Sequence, residues 1–464
     1  MEKWLSAALA YIPRWVAFQM RATGQPGCSL AIVHKGALVH ESAYGHADLA
    51  GKIKLTPRHR FRVASHSKSF TAAGIMKLRE HGKLRLDDPV GRYVTGLNPA
   101  MAGVTIGQLL SHSAGIIRDG LDSGQWQDDR PFLNEHELRA DLADQPILPP
   151  SSRFKYSNHG FGLAGLVIEA VTGERYNAWI AREIIAASRL GETSPDTPIP
   201  ADAPFVRGHS SPMPLGRRVV IPGENPTHAL ASATGFVSTA ADLARFYAGL
   251  IPDAPETVLS AASRREMIRR QWRELHSSVE RWYGLGIVSG TLAGWDWFGH
   301  TGGFQGYITR SIAIPAEDLA ISVLTNASDG ISHGIVDGAL QVLAAFRKNG
   351  APSREAALWT GRWWTLWGAT DLVPMGDKVM VANPALINPL LDASEITPAR
   401  HVNKPGADAR LGTVTLSGGF GKHGEPARLV LDKNGRAQEF WFSGAKMQKE
   451  TVVRAQLRAR YAAR

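Results

Sequence analysis

Cysteine is almost missing from this chain. Cys28 is the single one in 464 residues, which rules out an intrachain disulfide, leaves no thiolate set for a metal, and removes any need for an oxidising compartment. Long apolar runs are missing too. None approaches the roughly 20 residues that span a bilayer. The segment from Met1 to Phe18 has a short apolar run that superficially resembles a leader, but Glu2 offsets Lys3, Pro13 and Arg14 interrupt the pattern, and no convincing small-x-small cleavage site precedes the first core strand near Ser29. An amphipathic helix packed on the domain, a cytoplasmic location and no membrane partner are the expectations. Blocks of positive charge are absent as well. Lys+Arg 52 against Asp+Glu 42 gives +10 and a pI near 9.7, yet the basic residues are spread among acids, which describes a solvated basic surface rather than a nucleic-acid site. The 16 histidines contain no His-Glu-x-x-His pattern, so no metal and no cofactor is called for. Internal repeats and low-complexity tracts are also lacking.

What is present suffices for a large core. At 44% hydrophobic over 464 residues, the chain is expected to form two domains, residues 1–350 and 351–464, joined by a linker at Lys348 to Ser353. The first reads strands, then helices, then strands. Ser29 to His34 and Gly36 to Gly45 form a strand pair around a Lys35-Gly36 turn, and sheet character returns at Tyr283 to Ser289, Trp295 to His300, Tyr307 to Ile314 and Leu319 to Thr325. That order predicts an α/β (α+β) domain: an antiparallel sheet completed by both ends of the domain and flanked by helices, around an all-helical insertion. Beyond the linker, short alternating or aromatic runs at Trp363 to Trp367, Lys378 to Val381, Gly412 to Leu416, Arg428 to Leu431 and Glu439 to Phe442 predict a small antiparallel barrel-like β domain.

The chemistry centres on the stretch from Phe61 to Leu78. Small residues end a strand-like run, and Ser65 then opens a segment whose apolar residues recur at helical spacing. Lys68 lies one turn on. Residues at i and i+3 share a helix face, so its amine can reach the Ser65 hydroxyl as a nucleophile requires, while the helix start offers backbone N–H groups to an oxyanion. Ser-x-x-Lys alone is weak, because about one chance match is expected in a chain this long. Ser443 and Lys446 provide such a match in a strand-like region where the pair cannot share a helix face. Two further motifs follow in fixed order. Tyr156-Ser157-Asn158 is the only Tyr-x-Asn among nine tyrosines and lies on a polar loop leading into an apolar helix. His300-Thr301-Gly302-Gly303 lies on a late strand. A tyrosine hydroxyl and a lysine amine near a serine can relay its proton. Asn158 can bond Lys68 and a substrate amide, and the Gly303 N–H can join that of Ser65 as an oxyanion donor.

These three motifs, with Pro26 to Ser29 and Leu109 to Gly115, resemble the serine β-lactamase and penicillin-binding-protein superfamily in its class C-like branch, which also holds D-stereospecific peptidases and family VIII esterases. The resemblance covers roughly residues 23 to 346. It implies Ser65 as the acylated nucleophile, Lys68 as its base or proton partner, Tyr156 as a second acid/base, and Asn158, His300, Thr301, Gly302 and Gly303 as substrate-binding residues. One departure stands out: class C β-lactamases usually carry lysine where His300 stands. The carboxy-terminal region resembles, in composition, the lipocalin-like domains appended to some relatives.

The expected activity is therefore a metal-independent serine hydrolase acting through an acyl-enzyme on small esters, amides or short peptides, of the esterase or D-aminopeptidase type. A slow-turnover penicillin-binding or β-lactam-hydrolysing protein, or a non-catalytic scaffold, is the alternative. A homo-oligomer is compatible with all of these. His112 reads as a hydrogen-bonded core histidine, Ser67 should point away from Ser65 and Lys68, and the cluster Trp359, Trp363, Trp364 and Trp367 reads as core.

Overall fold

The structure, a computed structural model, describes residues 1–255, 258–275, 280–399, 408–419 and 421–461. The chain divides into two compact units, Gly24–Val336 and a unit that joins Met1–Thr23 to Asp337–Arg464. This grouping differs from the expected boundary at residue 350. Helix α1 (Lys3–Ala22) buries one face, as its apolar stripe predicts, but the face lies within the second unit. Trp15 donates from Nε1 to the Leu386 carbonyl at 3.3 Å, and Gln19 Nε2 donates to the carbonyls of Pro384 and Leu386 at 2.6 and 3.1 Å. An amphipathic pattern tells which face is covered, not by what.

In the larger unit, strands β1 (Gly27–His34), β2 (Ala37–Asp48), β3 (Ile53–Lys54), β4 (Trp272–Arg273), β5 (Trp282–Tyr283), β6 (Val288–Leu292), β7 (Trp295–Phe304), β8 (Tyr307–Ile314) and β9 (Leu319–Thr325) form one antiparallel sheet in the order β3-β2-β1-β9-β8-β7-β6-β5-β4. The first and last of these strands in the chain's central pairing are neighbours, with Ile32 opposite Ile321. The expected completion of the sheet from both ends of the domain is what the structure has. Every residue of β1 and of β9 is buried, which explains why neither strand carries a Lys, Arg, Asp or Glu. Lys35 and Gly36, both at positive φ, make the two-residue β1–β2 turn.

Between β3 and β4 lies the helical insertion. Helix α2 (Ser67–Glu80) is buried from Ser67 through Met76, so it runs through the core rather than over it. Thr105 caps the short helix Ile106–Leu110 in a reciprocal capping box with Gln108. Ser157 caps helix α3 (Asn158–Thr172), and Gly173 ends it in the left-handed region. Helix α4 (Ala240–Gly249) packs on β1, β8 and β9.

Helix α5 (Ser332–Asn349) leads into the second unit. There β10 (Gly361–Thr365), β11 (Gly368–Met375), β12 (Lys378–Ala382), β13 (Ser394–Pro398), β14 (Ala409–Leu416), β15 (Pro426–Leu431), β16 (Ala437–Phe442) and β17 (Ala445–Met447) pair each with the next, before helix α6 (Glu450–Tyr461). Trp364 and Gln448 exchange backbone hydrogen bonds of 2.8 and 3.0 Å, bringing the last strand to the first. The result is a nearly closed eight-stranded barrel. Trp359 and Trp363 are core residues beside Leu429 and Phe440, as expected of the tryptophan cluster. Trp367 is not, because it sits in the β10–β11 turn. Ser443 occupies a turn at positive φ while Lys446 lies on β17, ion-paired with Glu439, so this second Ser-x-x-Lys match is a coincidence of composition.

Gly338 of α5 shows how closely α1 is seated. A Cβ there would lie 2.0 Å from the Ile387 carbonyl and 2.3 Å from the Trp15 ring. Gly338→Ala should therefore destabilise the protein by about 1–3 kcal/mol in denaturant unfolding, despite the better helix propensity of alanine. An unchanged or raised midpoint would contradict this packing.

Candidate active site

The strand pair Phe61–Arg62 with Val237–Ser238 delivers the chain to Val63. Ala64 then takes φ 47°, a strained conformation for a residue with a Cβ. Ser67 holds this turn by donating to the Ala64 carbonyl at 2.6 Å and accepting from the Phe236 N–H at 3.0 Å. Ser67 thus points away from the reactive face, as expected. Ser65 is left half-buried at the end of the turn.

Lys68 is fully buried. Its Nζ donates to Asn158 Oδ1 at 2.7 Å and to the Ala233 carbonyl at 2.8 Å, and lies 3.1 Å from Ser65 Oγ. Burial pushes its pKa well below the ordinary lysine range, the Arg118 charge pushes the same way, and Asp119 opposes them. A neutral amine has two N–H groups and one lone pair. In the neutral form that burial favours, Asn158 and Ala233 take both N–H groups and one lone pair is left for the Ser65 hydroxyl. On the other side of that oxygen, Tyr156 donates to Ser65 Oγ at 2.8 Å, and burial raises the Tyr156 hydroxyl pKa so that it keeps its proton. Two groups able to exchange protons, an amine and a phenol, thus meet on one hydroxyl oxygen.

Several residues that the motifs do not contain complete the site. Asp119 accepts from Asn158 Nδ2 at 2.6 Å and from Trp126 Nε1 at 3.0 Å, and pairs with Arg118 at 2.9 Å. It thereby fixes which end of the Asn158 amide faces Lys68. His112, at φ 57°, accepts the Ser157 N–H at 3.1 Å, and its ring lies tilted against that of Tyr156 with centroids 4.2 Å apart. Its burial depresses its pKa, so it remains neutral and acts as the hydrogen-bonded core histidine that was expected. Arg118 and Asp119 come soon after the Leu109 to Gly115 segment, but no spacing rule links Asp119 to Asn158, 39 positions on.

The third motif lies on β7. Strand β6 pairs with β7 only as far as Val288 opposite Gly299, whereas β8 continues to Tyr307 opposite Phe304. Among the described residues, His300 to Phe304 therefore has no strand on its β6 side. A Cβ on Gly302 would lie 2.1 Å from the Val63 carbonyl, so only glycine lets this strand close on the turn that carries Ser65. Thr301 is half-buried and Gly303 exposed on this stretch. His300 is buried, its Nε2 2.9 Å from the Tyr283 hydroxyl and its ring 6.1 Å from that of His66. Burial brings its pKa down to about 3. It is a neutral residue, more firmly so than an unperturbed histidine. Arg310 is cross-strand from Thr301, so it faces away from His300. Its guanidinium lies over Trp297 and donates to the His333 carbonyl. Among the described residues no group of three His, Cys, Asp or Glu side chains is placed to hold a metal.

Comparison with known proteins gives the family and the fold. The family model described as Beta-lactamase matches residues 12–346. Protein flp of Staphylococcus aureus (strain MRSA252) is 32% identical over 173 residues, 36% of this chain and 34% of that protein, so the match spans about a third of the length of these curated relatives. Penicillin-binding protein 4 of Amycolatopsis lactamdurans is 29% identical over 339 residues, 65% of this chain and 81% of that protein. Among solved structures, the octameric penicillin-binding protein homologue from Pyrococcus abyssi has a TM-score of 0.65 at 22% identity, covering 95% of this chain and 100% of that one. The D-amino acid amidase from Ochrobactrum anthropi SV3 complexed with D-phenylalanine has a TM-score of 0.62 at 22% identity, covering 73% and 99%. These structural likenesses show the fold.

Asp119→Asn retains an acceptor for Asn158 but removes the charge that opposes the depression of the Lys68 pKa. A protonated Lys68 cannot accept the serine proton, so labelling of Ser65 by a fluorophosphonate should fall as pH drops through the Lys68 pKa. In Asp119→Asn that acid limb should move to lower pH by about one unit. A limb that stays in place would show that Asp119 does not act on Lys68.

Proposed function

This chain belongs to the β-lactamase family, and from that premise we propose that it is a serine hydrolase that forms an acyl-enzyme at Ser65 and releases it to water. The observation that carries the reading is the position of Ser65 Oγ, 3.1 Å from the Lys68 amine and 2.8 Å from the Tyr156 hydroxyl. As the bond from Oγ to the substrate carbonyl forms, Lys68 takes the hydroxyl proton. Backbone N–H groups of Ser65 and Gly303 receive the oxyanion. Tyr156 gives its proton to the leaving alkoxide or amine as the carbonyl bond to it breaks, and the proton on Lys68 restores Tyr156. Water then attacks the ester, losing a proton to the same pair, and Ser65 Oγ leaves with a proton returned from it. Asn158 positions Lys68, and the open edge of β7 from His300 to Gly303 lies alongside the substrate.

The substrates proposed are small esters, amides or short peptides. A neutral His300 presents no permanent charge to a substrate carboxylate, in contrast to a lysine at that position. Absence of one charge-assisted hydrogen bond is worth roughly ten- to a hundredfold. A neutral aryl ester or D-amino acid anilide should therefore be hydrolysed with higher kcat/KM than an anionic chromogenic cephalosporin. The reverse order would remove the role given to His300. The likeness to Penicillin-binding protein 4 supports a second reading, in which β-lactams acylate Ser65 and leave slowly. Intact mass after addition of penicillin separates the two by whether the adduct decays.

Ser65→Ala and Lys68→Ala should each lower turnover by several orders of magnitude, with the double variant little worse than either, because the two groups serve one step. Tyr156→Phe should fold normally and be slower by roughly two to four orders of magnitude. Retained turnover in Ser65→Ala would end the covalent mechanism, and near-native rates in Tyr156→Phe would end the assignment of the acid.

A further inference from the structure

The second unit carries a surface that the chemistry at Ser65 leaves unused. The β10–β11 turn holds Leu366 and Trp367 out in solvent, 64% and 94% exposed. Beside it an apolar groove of about 580 Å³ runs between that turn and α6, lined by Trp364, Leu366, Val453, Leu457 and Tyr461. Val453, Leu457 and Tyr461 recur every four residues and so share one helix face.

The charge around this patch is of one sign. Arg454, Arg458 and Arg460 are exposed on α6, and none of them is in an ion pair among the described residues. Glu450 is the only acid of the helix, and Arg21 neutralises it at 3.0 Å. An exposed tryptophan and leucine at the tip of a tight turn leave large apolar surfaces in water, and the headgroup region of a bilayer is a medium that accepts an indole at this depth. An apolar tip alone would fit many partners. The unpaired arginines beside it select one with anionic groups, and tip and charges together match the combination of apolar insertion and electrostatic attraction that holds amphipathic elements at lipid surfaces.

We propose that this face docks the protein on the surface of an anionic lipid bilayer, with Leu366 and Trp367 entering the interface and Arg454, Arg458 and Arg460 lying against phosphate headgroups. Contact of this kind is peripheral, since no helix among the described residues is long and apolar enough to cross a membrane. The expectation of no membrane partner rested on the lack of a spanning segment and does not extend to a surface contact.

The test is co-sedimentation of the full chain with phosphatidylcholine vesicles that contain or lack phosphatidylglycerol. Binding should require phosphatidylglycerol and weaken with added salt. It should fall at least about tenfold in L366S/W367S and in R454Q/R458Q/R460Q, while fluorophosphonate labelling of Ser65 stays unchanged in both. Absence of binding, equal binding to both vesicle types, or indifference to either set of substitutions would overturn the proposal. So would a change of oligomeric state in L366S/W367S by light scattering, which would identify the face as a contact between copies of the chain.

Discussion

An ammonium group buried out of reach of water is unfavourable unless it is paired or gives up its proton, and Lys68 is fully buried. The active site is arranged around that constraint. Two fixed acceptors, Asn158 Oδ1 and the Ala233 carbonyl, satisfy the N–H groups that a neutral amine retains. The remaining lone pair falls on Ser65. In the proposed reaction, burial in α2 does what a separate catalytic base does elsewhere, and the neighbouring phenol of Tyr156, kept protonated by the same low-dielectric surroundings, supplies the complementary acid. Two groups with ordinary pKa values on the same side of neutrality are driven to opposite roles by one environment.

The surrounding structure holds this arrangement by close approach rather than by flexible contacts. The strained Ala64 brings Ser65 round the turn, Gly302 lets β7 close on Val63, and Asp119 sets the Asn158 amide. Strain at Ala64 and at His112, both at positive φ, lies next to the reacting groups, where surrounding packing can hold it.

Much of this was legible in the chain. The three motifs are local: i,i+3 spacing put Lys68 on the face of Ser65, and a polar loop leading into an apolar helix put Tyr156 and Asn158 at a helix entrance. Their order, with the resemblance it carries, was enough to name the fold and the family. What was not legible depends on residues far apart in sequence. Asp119 meets Asn158, and Tyr283 meets His300, only after the helical insertion and the sheet have packed, and neither pair has a periodic signature. An unperturbed imidazole is already mostly neutral at pH 7, and burial of His300 in the sheet, which no local pattern announces, drives its pKa lower still. Strands β11 and β13 were passed over because Asp371 and Pro374 interrupt the first and the polar Ser394 holds a buried position in the second, and α1 was given to the wrong unit because its stripe does not name its partner.

The central claim is that Lys68 is neutral in the resting protein. Titration of its Cε resonance by NMR, assigned by comparison with a Lys68→Arg variant, measures this directly. The account predicts a pKa well below the ordinary value of about 10.4. An ordinary or raised value would mean that Lys68 is charged at neutral pH and cannot be the base that receives the Ser65 proton.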